Sequence, residues 1–220
     1  LPESPLQGVT VLDLSRVVAG PFAAQMLADL GARVIKLERT DGGDDLRKVG
    51  PPWCRQLGEA PRVSTYFAAV NRGKQSVPVD FDAADGIALV RQLVTEADVV
   101  IENFRTGTLA RKGLGYDDLA AINPRLILCS VTGFGQTGPR ATESGYDYLA
   151  QAMAGVMHVT GHVAGEPGAP AHRRLGGGEG GWTDGQGPQA HVQTGRPAGR
   201  RGGPGQGRAA VPRQPAGRRR

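Results

Sequence analysis

An α/β fold with an open, mainly parallel sheet is what this sequence predicts, and three observations carry that expectation. From residue 9 to about 157, short apolar runs alternate with stretches of helical spacing, the order that right-handed strand–helix–strand crossovers impose. The apolar runs, such as Val9–Leu14, Val34–Leu37, Val99–Ile101 and Leu126–Val131, suit strands covered on both faces better than half-exposed ones. Three strand ends pass directly into polar or glycine-rich sequence, at Ser15–Gly20, Glu102–Arg105 and Thr132–Gly138. Ligands of open parallel sheets sit beyond the carboxyl ends of strands, so these three ends are expected to converge on one crevice of a Rossmann-like sheet.

The first unit, Val9–Arg39, is the most complete. Val9, Val11, Leu12 and Leu14 give the first strand. Ala19 and Gly20 form a turn with almost no side chain, and Pro21 suits a first helical position. Phe22, Ala23, Met26, Leu27 and Leu30 recur at helical spacing, Gly31 stops the helix as a left-handed cap, and Val34, Ile35 and Leu37 form the second strand. A helix entered through so small a turn presents free backbone N–H groups, a natural seat for an anion. The unit alone does not require a ligand, because many α/β proteins begin this way.

The stretch after Arg39, rich in Gly, Pro and charge, reads as a long surface loop. Ser64–Val70 fits either a helical turn or a short strand. Asn71–Lys74 is a basic turn leading into Ser76–Phe81, where Val77, Val79 and Phe81 alternate as in a strand and Pro78 places it at an edge. Asp82 is the expected N-cap of a helix whose stripe is Ile87, Leu89, Val90, Leu93 and Val94. Short helices are expected around Gly113 and Gly115, and a further helix over Tyr146–Val156.

Charge divides the chain. The overall +5 suggests a polyanionic partner, but His172–Arg220 holds 10 Arg against 2 acidic residues, whereas residues 1–171 hold 16 basic and 19 acidic side chains. The folded part is therefore mildly acidic. The 49 residues after Ala171 include 14 Gly and 5 Pro, with no Ile, Phe, Tyr or Met, and such a segment is expected to be disordered because it cannot bury enough apolar surface. It has neither a regular RGG repeat nor interleaved aromatics, so RNA binding through guanidinium stacking is an alternative and nucleic acid is not the expected partner. An abrupt Gly/Arg/Pro/Ala composition is also what GC-rich DNA gives in a shifted reading frame, and a frameshift is the favoured explanation. Two unpatterned cysteines, Cys54 and Cys129, and no apolar run of membrane-spanning length point to a cytoplasmic protein without a metal site.

With these motifs in place, the stretch from about Leu6 to Pro167 resembles the class III CoA-transferase (CaiB/BaiF) family. The matching pieces are GVTVLDLSRVVAGPFAAQMLADLGARVIKLER, GGDDLR, NRGKQSV, ADVVIENFRTGTLARKGLGYDDLAAINPRLILCSVTGFGQTGP and GYDYLAQAMAGVMHVTG. The resemblance implies an enzyme that moves CoA from an acyl-CoA to a carboxylic acid through an aspartyl-CoA thioester, a covalent route with a carboxylate nucleophile. It implies coenzyme A as substrate rather than a permanently bound cofactor, and an interlocked homodimer.

By position, the resemblance makes Arg16, Val18, Ala19, Arg39, Lys74, Val79, Asn103, Phe104 and Arg111 the expected CoA-binding residues. Guanidinium groups suit phosphates, and amide or apolar walls suit pantetheine. Tyr146 stands where related racemases carry a catalytic histidine, which favours the transferase branch, and GGDDLR leans towards dicarboxylate acceptors.

Two departures limit the expectation. Residues 165–170, GEPGAP, are followed by AHRRLGGGEGGWTDGQG in place of the segment that carries the nucleophilic aspartate, and Asp184 lacks its surroundings. The second domain that closes the ring has no counterpart, so dimerisation is in doubt. The expected organisation is an incomplete CoA-binding α/β domain over residues 1–170 and a tail over 171–220, inactive as written. The alternative is a CoA-binding module with no catalysis of its own. Translation of the other two frames of the gene past codon 170 is expected to continue an ordinary α/β sequence; if neither frame does, the frameshift is excluded.

Overall fold

A computed structural model describes residues 4–54, 63–159 and 189–194. In chain order the elements are β1 (Thr10–Asp13), α1 (Ala19–Asp29), β2 (Arg33–Glu38), a 3-10 turn (Asp45–Lys48), β3 (Trp53–Cys54), β4 (Val63–Ser64) and α2 (Thr65–Asn71). They continue with β5 (Gln75–Pro78), α3 (Ala84–Val94), β6 (Val99–Glu102), α4 (Thr108–Arg111), α5 (Tyr116–Ile122), β7 (Ile127–Thr132), α6 (Asp147–Met153), α7 (Val156–Val159) and β8 (Gln189–Thr194).

The main sheet has the order β5-β2-β1-β6-β7-β8, and β3 pairs with β4 in a separate two-stranded ribbon. Every pairing among β5, β2, β1, β6 and β7 is parallel. The strand order reverses at β1, which lies between β2 and β6. Such a switch point opens a crevice between neighbouring strand ends. Pro78 falls on the edge strand β5, as expected of a residue that cannot donate to a ladder.

Strand alternation splits the core into two layers. Leu12, Leu14, Ile35, Leu37, Val100 and Leu128 face one layer, with Val90 and Val94 of α3 and Leu119 of α5. Val11, Val34 and Ile101 face the other, beneath Ala24 of α1. The second layer is thinner because α1 approaches through small residues. A Cβ on Gly20 would lie 2.3 Å from Ser15 Cβ, so glycine is what lets the helix start so close to the end of β1. Gly31 ends the unit at φ +99°, the left-handed value expected there.

The structure corrects four details. Helix α1 begins at Ala19, two residues before Pro21. It buries Gly20, Pro21, Ala24 and Gln25, and leaves Phe22, Met26 and Leu30 about half exposed; the small face wins because it alone fits against β1 and β2. Helix α3 starts one residue later than expected, after Ala83 and with no side-chain cap, and the Asp82 carboxylate is taken by Lys112 Nζ. The fourth correction concerns the tail, where Gln189–Thr194 forms strand β8, antiparallel to β7. Its backbone satisfies the otherwise open hydrogen-bonding edge of β7. The other expectations for residues 171–220 lie outside the described residues.

Because Leu12 is fully buried where β1 crosses the larger core layer, Leu12→Ala is expected to lower unfolding stability by about 3 kcal/mol. In urea this reads as a lower midpoint at unchanged slope; a change below about 1 kcal/mol would contradict this packing.

Candidate functional site

At the carboxyl ends of β1, β2, β5 and β6 lies a cavity of about 610 Å³, within the usual range for small-molecule sites. Its walls come from Leu14–Arg16 after β1, Lys36–Asp44 at the end of β2 and the loop beyond, Val79–Asp82 after β5, and Phe104, Thr108 and Lys112 after β6. Two of the three expected strand ends meet here. The third, Thr132–Gly138, does not line the cavity. It folds back on itself instead, with Gly133 against Gly145 and the Arg140 guanidinium 4.0 Å from the centre of the Phe134 ring.

Buried charge shapes the floor. Asp13 and Lys36 are register partners in the β1–β2 ladder, and both are buried. Lys36 Nζ donates to Ser15 O at 2.8 Å and sits 2.9 Å from Asp44 Oδ2 and 3.9 Å from Asp13 Oδ2. Asp13 Oδ1 accepts from Ser15 N at 3.0 Å and from the Ser15 hydroxyl. Asp44 Oδ1 accepts from Val17 N at 3.1 Å and Leu46 N at 3.0 Å.

Glu38 continues the network, accepting from Asp44 N at 2.9 Å, Ser76 Oγ at 2.6 Å and both Arg47 Nε and Nη2 at 2.7 and 2.6 Å. Burial alone would raise the Glu38 carboxyl, but the bonds from Arg47, Ser76 and Asp44 outweigh it and hold the pKa down to about 2.

On the opposite wall, Asn103 clamps the first turn. Its Oδ1 accepts from Arg16 N and its Nδ2 donates to Arg16 O, both at 2.8 Å. The Arg16 guanidinium lies 5.1 Å from the centre of the Phe104 ring, and Phe104 packs edge-on against Phe81 at 5.9 Å. Below them, buried Glu102 accepts from Phe104 N at 2.8 Å, and burial pushes its carboxyl up.

The structure thus brings Arg16, Arg39, Val79 and Phe104 together on the cavity wall. Val18 and Ala19 sit exposed at the start of α1, next to that wall. Asn103 acts on the backbone of Arg16. Arg111 is exposed and donates to Thr108 Oγ1 at 3.2 Å, one turn from the lining. Lys74 is drawn into the interior, with Nζ bonded to Asp13 Oδ2 at 2.7 Å, Pro21 O at 2.8 Å and Asn71 Oδ1 at 2.9 Å. Burial lowers its pKa more than Asp13 raises it. Asp184 lies outside the described residues.

Sequence reasoning missed Asp44, Lys36 and Lys112. The buried position of Lys36 was the available signal, since a lysine in the run VIKLE must find a partner. Among the described residues, no group of His, Cys, Asp and Glu is placed to hold a metal, and no helix is long and apolar enough to cross a membrane.

A doubly covered parallel sheet with a crevice at its switch point defines the class, a Rossmann-like α/β protein. The sequence profile of CoA-transferase family III matches residues 6–175, and the chain belongs to that family. It is 53% identical over 163 residues to a succinate–glutarate CoA-transferase of Agrobacterium fabrum, covering 74% of this chain and 41% of that protein. An acetyl-CoA:oxalate CoA-transferase of Acetobacter aceti is 46% identical over 166 residues, covering 76% of this chain and 41% of the relative. Among solved structures, a CaiB/BaiF family protein from Brucella suis matches with TM-score 0.70 and 52% identity, over 74% of this chain and 43% of that one. The chain therefore spans about two fifths of the length of these relatives.

The Glu38 carboxylate sets a pH test. Its folded pKa of about 2 lies below the ordinary 4.5, so its contribution is complete above pH 4.5 and is lost as pH falls towards 2. That contribution is of order 2 kcal/mol after allowing for solvent screening at half-exposed Arg47. Glu38→Gln is expected to be less stable at neutral pH and to lose stability less steeply between pH 4.5 and 2; equal acid slopes for the two proteins would contradict the assignment.

Proposed function

We propose that the cavity binds coenzyme A and that this chain is the CoA-binding part of an enzyme moving CoA from an acyl-CoA to a carboxylic acid. The observation that carries the reading is Arg16. Its guanidinium stacks on Phe104 at the cavity wall, and among the described residues no carboxylate is bonded to it. An Arg held open over an aromatic floor suits a ligand with phosphate at one end and an apolar arm at the other. Arg39, Lys112 and, at the rim, Arg111 supply further cations for the phosphates. Val79, Phe81 and Phe104 supply an apolar wall for the pantetheine arm.

The acceptor is proposed to be a dicarboxylic acid, which the names of the succinate–glutarate and acetyl-CoA:oxalate relatives support. The nucleophile is the missing part. No aspartate follows residues 165–170 in the manner the family motif requires, so we propose that residues 1–170 bind CoA without transferring it and that the 171–220 tail adds nothing to the site. The exposed side chains of Val18, Phe22, Met26 and Leu30 lie four residues apart along α1, a stripe that supports burial of this face against protein in the homodimer that family membership suggests. Two cysteines without a partner pattern fit a cytoplasmic setting.

Calorimetric titration with CoA is expected to show binding by the 220-residue chain, weakened about tenfold or more by Arg16→Ala through loss of a charge-assisted contact. Incubation with succinyl-CoA and glutarate is expected to give no glutaryl-CoA, and transfer is expected to return when the chain is continued in the natural frame. Absence of CoA binding would overturn the site, and turnover by the 220-residue chain would overturn the loss of its nucleophile.

A further inference from the structure

The turn after β1 is held from outside at almost every backbone group. Ser15 N is taken by Asp13 Oδ1, Ser15 O by Lys36 Nζ, Arg16 N and O by Asn103, and Val17 N by Asp44 Oδ1. Val17 sits at φ +68°, the one non-glycine residue in left-handed conformation among the described residues. A β-branched side chain disfavours that conformation, so the turn persists only because its surroundings over-determine it. The tie to Val17 is the critical one, because it acts on the strained residue itself and comes from the far side of the cavity.

Asp44 makes that tie with the oxygen that also receives Leu46 N, while its other oxygen is held by the Lys36 ion pair alone. Its Oδ1 serves Val17 N and Leu46 N, its Oδ2 faces Lys36 Nζ at 2.9 Å, and its own N–H is fixed by Glu38 Oε2. We propose that Asp44 is the positioning residue of the crevice. It holds Val17 left-handed, so that Arg16 is presented over Phe104, and it ties the order of the 40–48 loop to the shape of the β1 turn. This rests on the reading of the cavity as a CoA site. It adds that the two walls of the crevice, formed by segments 27 residues apart at their contact, are assembled together or not at all.

An asparagine at position 44 is nearly isosteric but has one acceptor oxygen where Asp44 uses two. Lys36, buried and charged, retains that oxygen, which turns the amide N–H₂ towards Val17 N and Leu46 N and breaks the tie. Asp44→Asn is therefore expected to bind CoA about tenfold more weakly, the equivalent of one hydrogen bond in a buried setting. The Val17 amide is expected to exchange with solvent about tenfold faster for the same reason.

The double variant Val17→Gly with Asp44→Asn separates positioning from general damage. Glycine adopts positive φ without the Cβ penalty, so the double variant is expected to recover most of the lost affinity. A loss of affinity that glycine does not restore would mean that Asp44 acts only through Lys36, and would overturn the proposal. So would unchanged affinity and unchanged Val17 exchange in Asp44→Asn, or a Val17 amide in the unaltered chain that exchanges as freely as an open loop. If the unaltered chain fails to bind CoA, the ligand assignment falls, while the exchange rates of Val17 in the unaltered chain and in Asp44→Asn still decide the role of Asp44.

Discussion

The structure depends on a line of buried charge at the carboxyl end of its sheet. Asp13 and Lys36 face each other because the β1–β2 register puts them there, and neither has access to water. Charges in such a place are costly unless every one is paired and hydrogen-bonded. The chain meets that demand by recruiting from four directions: Lys74 from the turn before β5, Asp44 from the loop after β2, and the backbones of Ser15 and Pro21 from either end of the β1–α1 connection. Glu38, Ser76 and Arg47 extend the line to the edge of the sheet. Apolar residues would stabilise the same space as well. What the charges add is direction, since each pairing fixes a loop that would otherwise be free to choose its path.

How much of this the sequence disclosed depends on whether the cause was local. Four of the five parallel strands, β1, β2, β6 and β7, were legible because burial between helices leaves an apolar run. The edge strand β5 was legible only from alternation beside Pro78, and Gly31 was legible because a left-handed helix end has one preferred residue. The buried face of α1 was not. Phe22, Met26 and Leu30 have the spacing and size of a core stripe, yet the close approach permitted by Gly20 and Ala24 turned the helix the other way. Asp82 is not the cap because the helix starts one residue later, after Ala83, and the Asp82 carboxylate is taken by Lys112 Nζ.

The site was half legible for the same reason. Arg16, Asn103 and Phe104 were reached by position through the family resemblance, not by their chemistry alone. Asn103 and Asp44 act on backbone groups 87 and 27 residues away, and no local pattern encodes a partner at that distance. The loop over Thr132–Gly138 has the composition of a ligand loop, but its glycines serve backbone packing of Gly133 on Gly145. Composition alone does not separate glycines that admit a ligand from glycines that admit the chain itself. Strand β8 is the converse case: a tail with the composition of a disordered segment still contains six residues whose backbone closes the edge of β7.

Electrostatically, the crevice divides into a fixed frame and an exchangeable rim. The frame pairs, Lys36 with Asp44 and Lys74 with Asp13, are almost wholly out of solvent, and separating either would leave a buried charge alone. At the rim, Arg39 pairs with Asp45 and Asp41, whose side chains are 55% and 77% exposed, and Lys112 pairs with Asp82, 88% exposed. Exposed pairs of this kind are worth about 0–1 kcal/mol, so either cation can leave its carboxylate at small cost. Arg16 needs no such exchange, because its guanidinium already rests on Phe104 rather than on an acid. On the proposed CoA reading, the ligand's phosphates would meet one cation at the wall without a carboxylate partner among the described residues and two held only by exposed pairs. The division follows from burial alone: the same residue types form both layers, and depth beneath the strand ends decides which pairs hold the fold and which are free to separate.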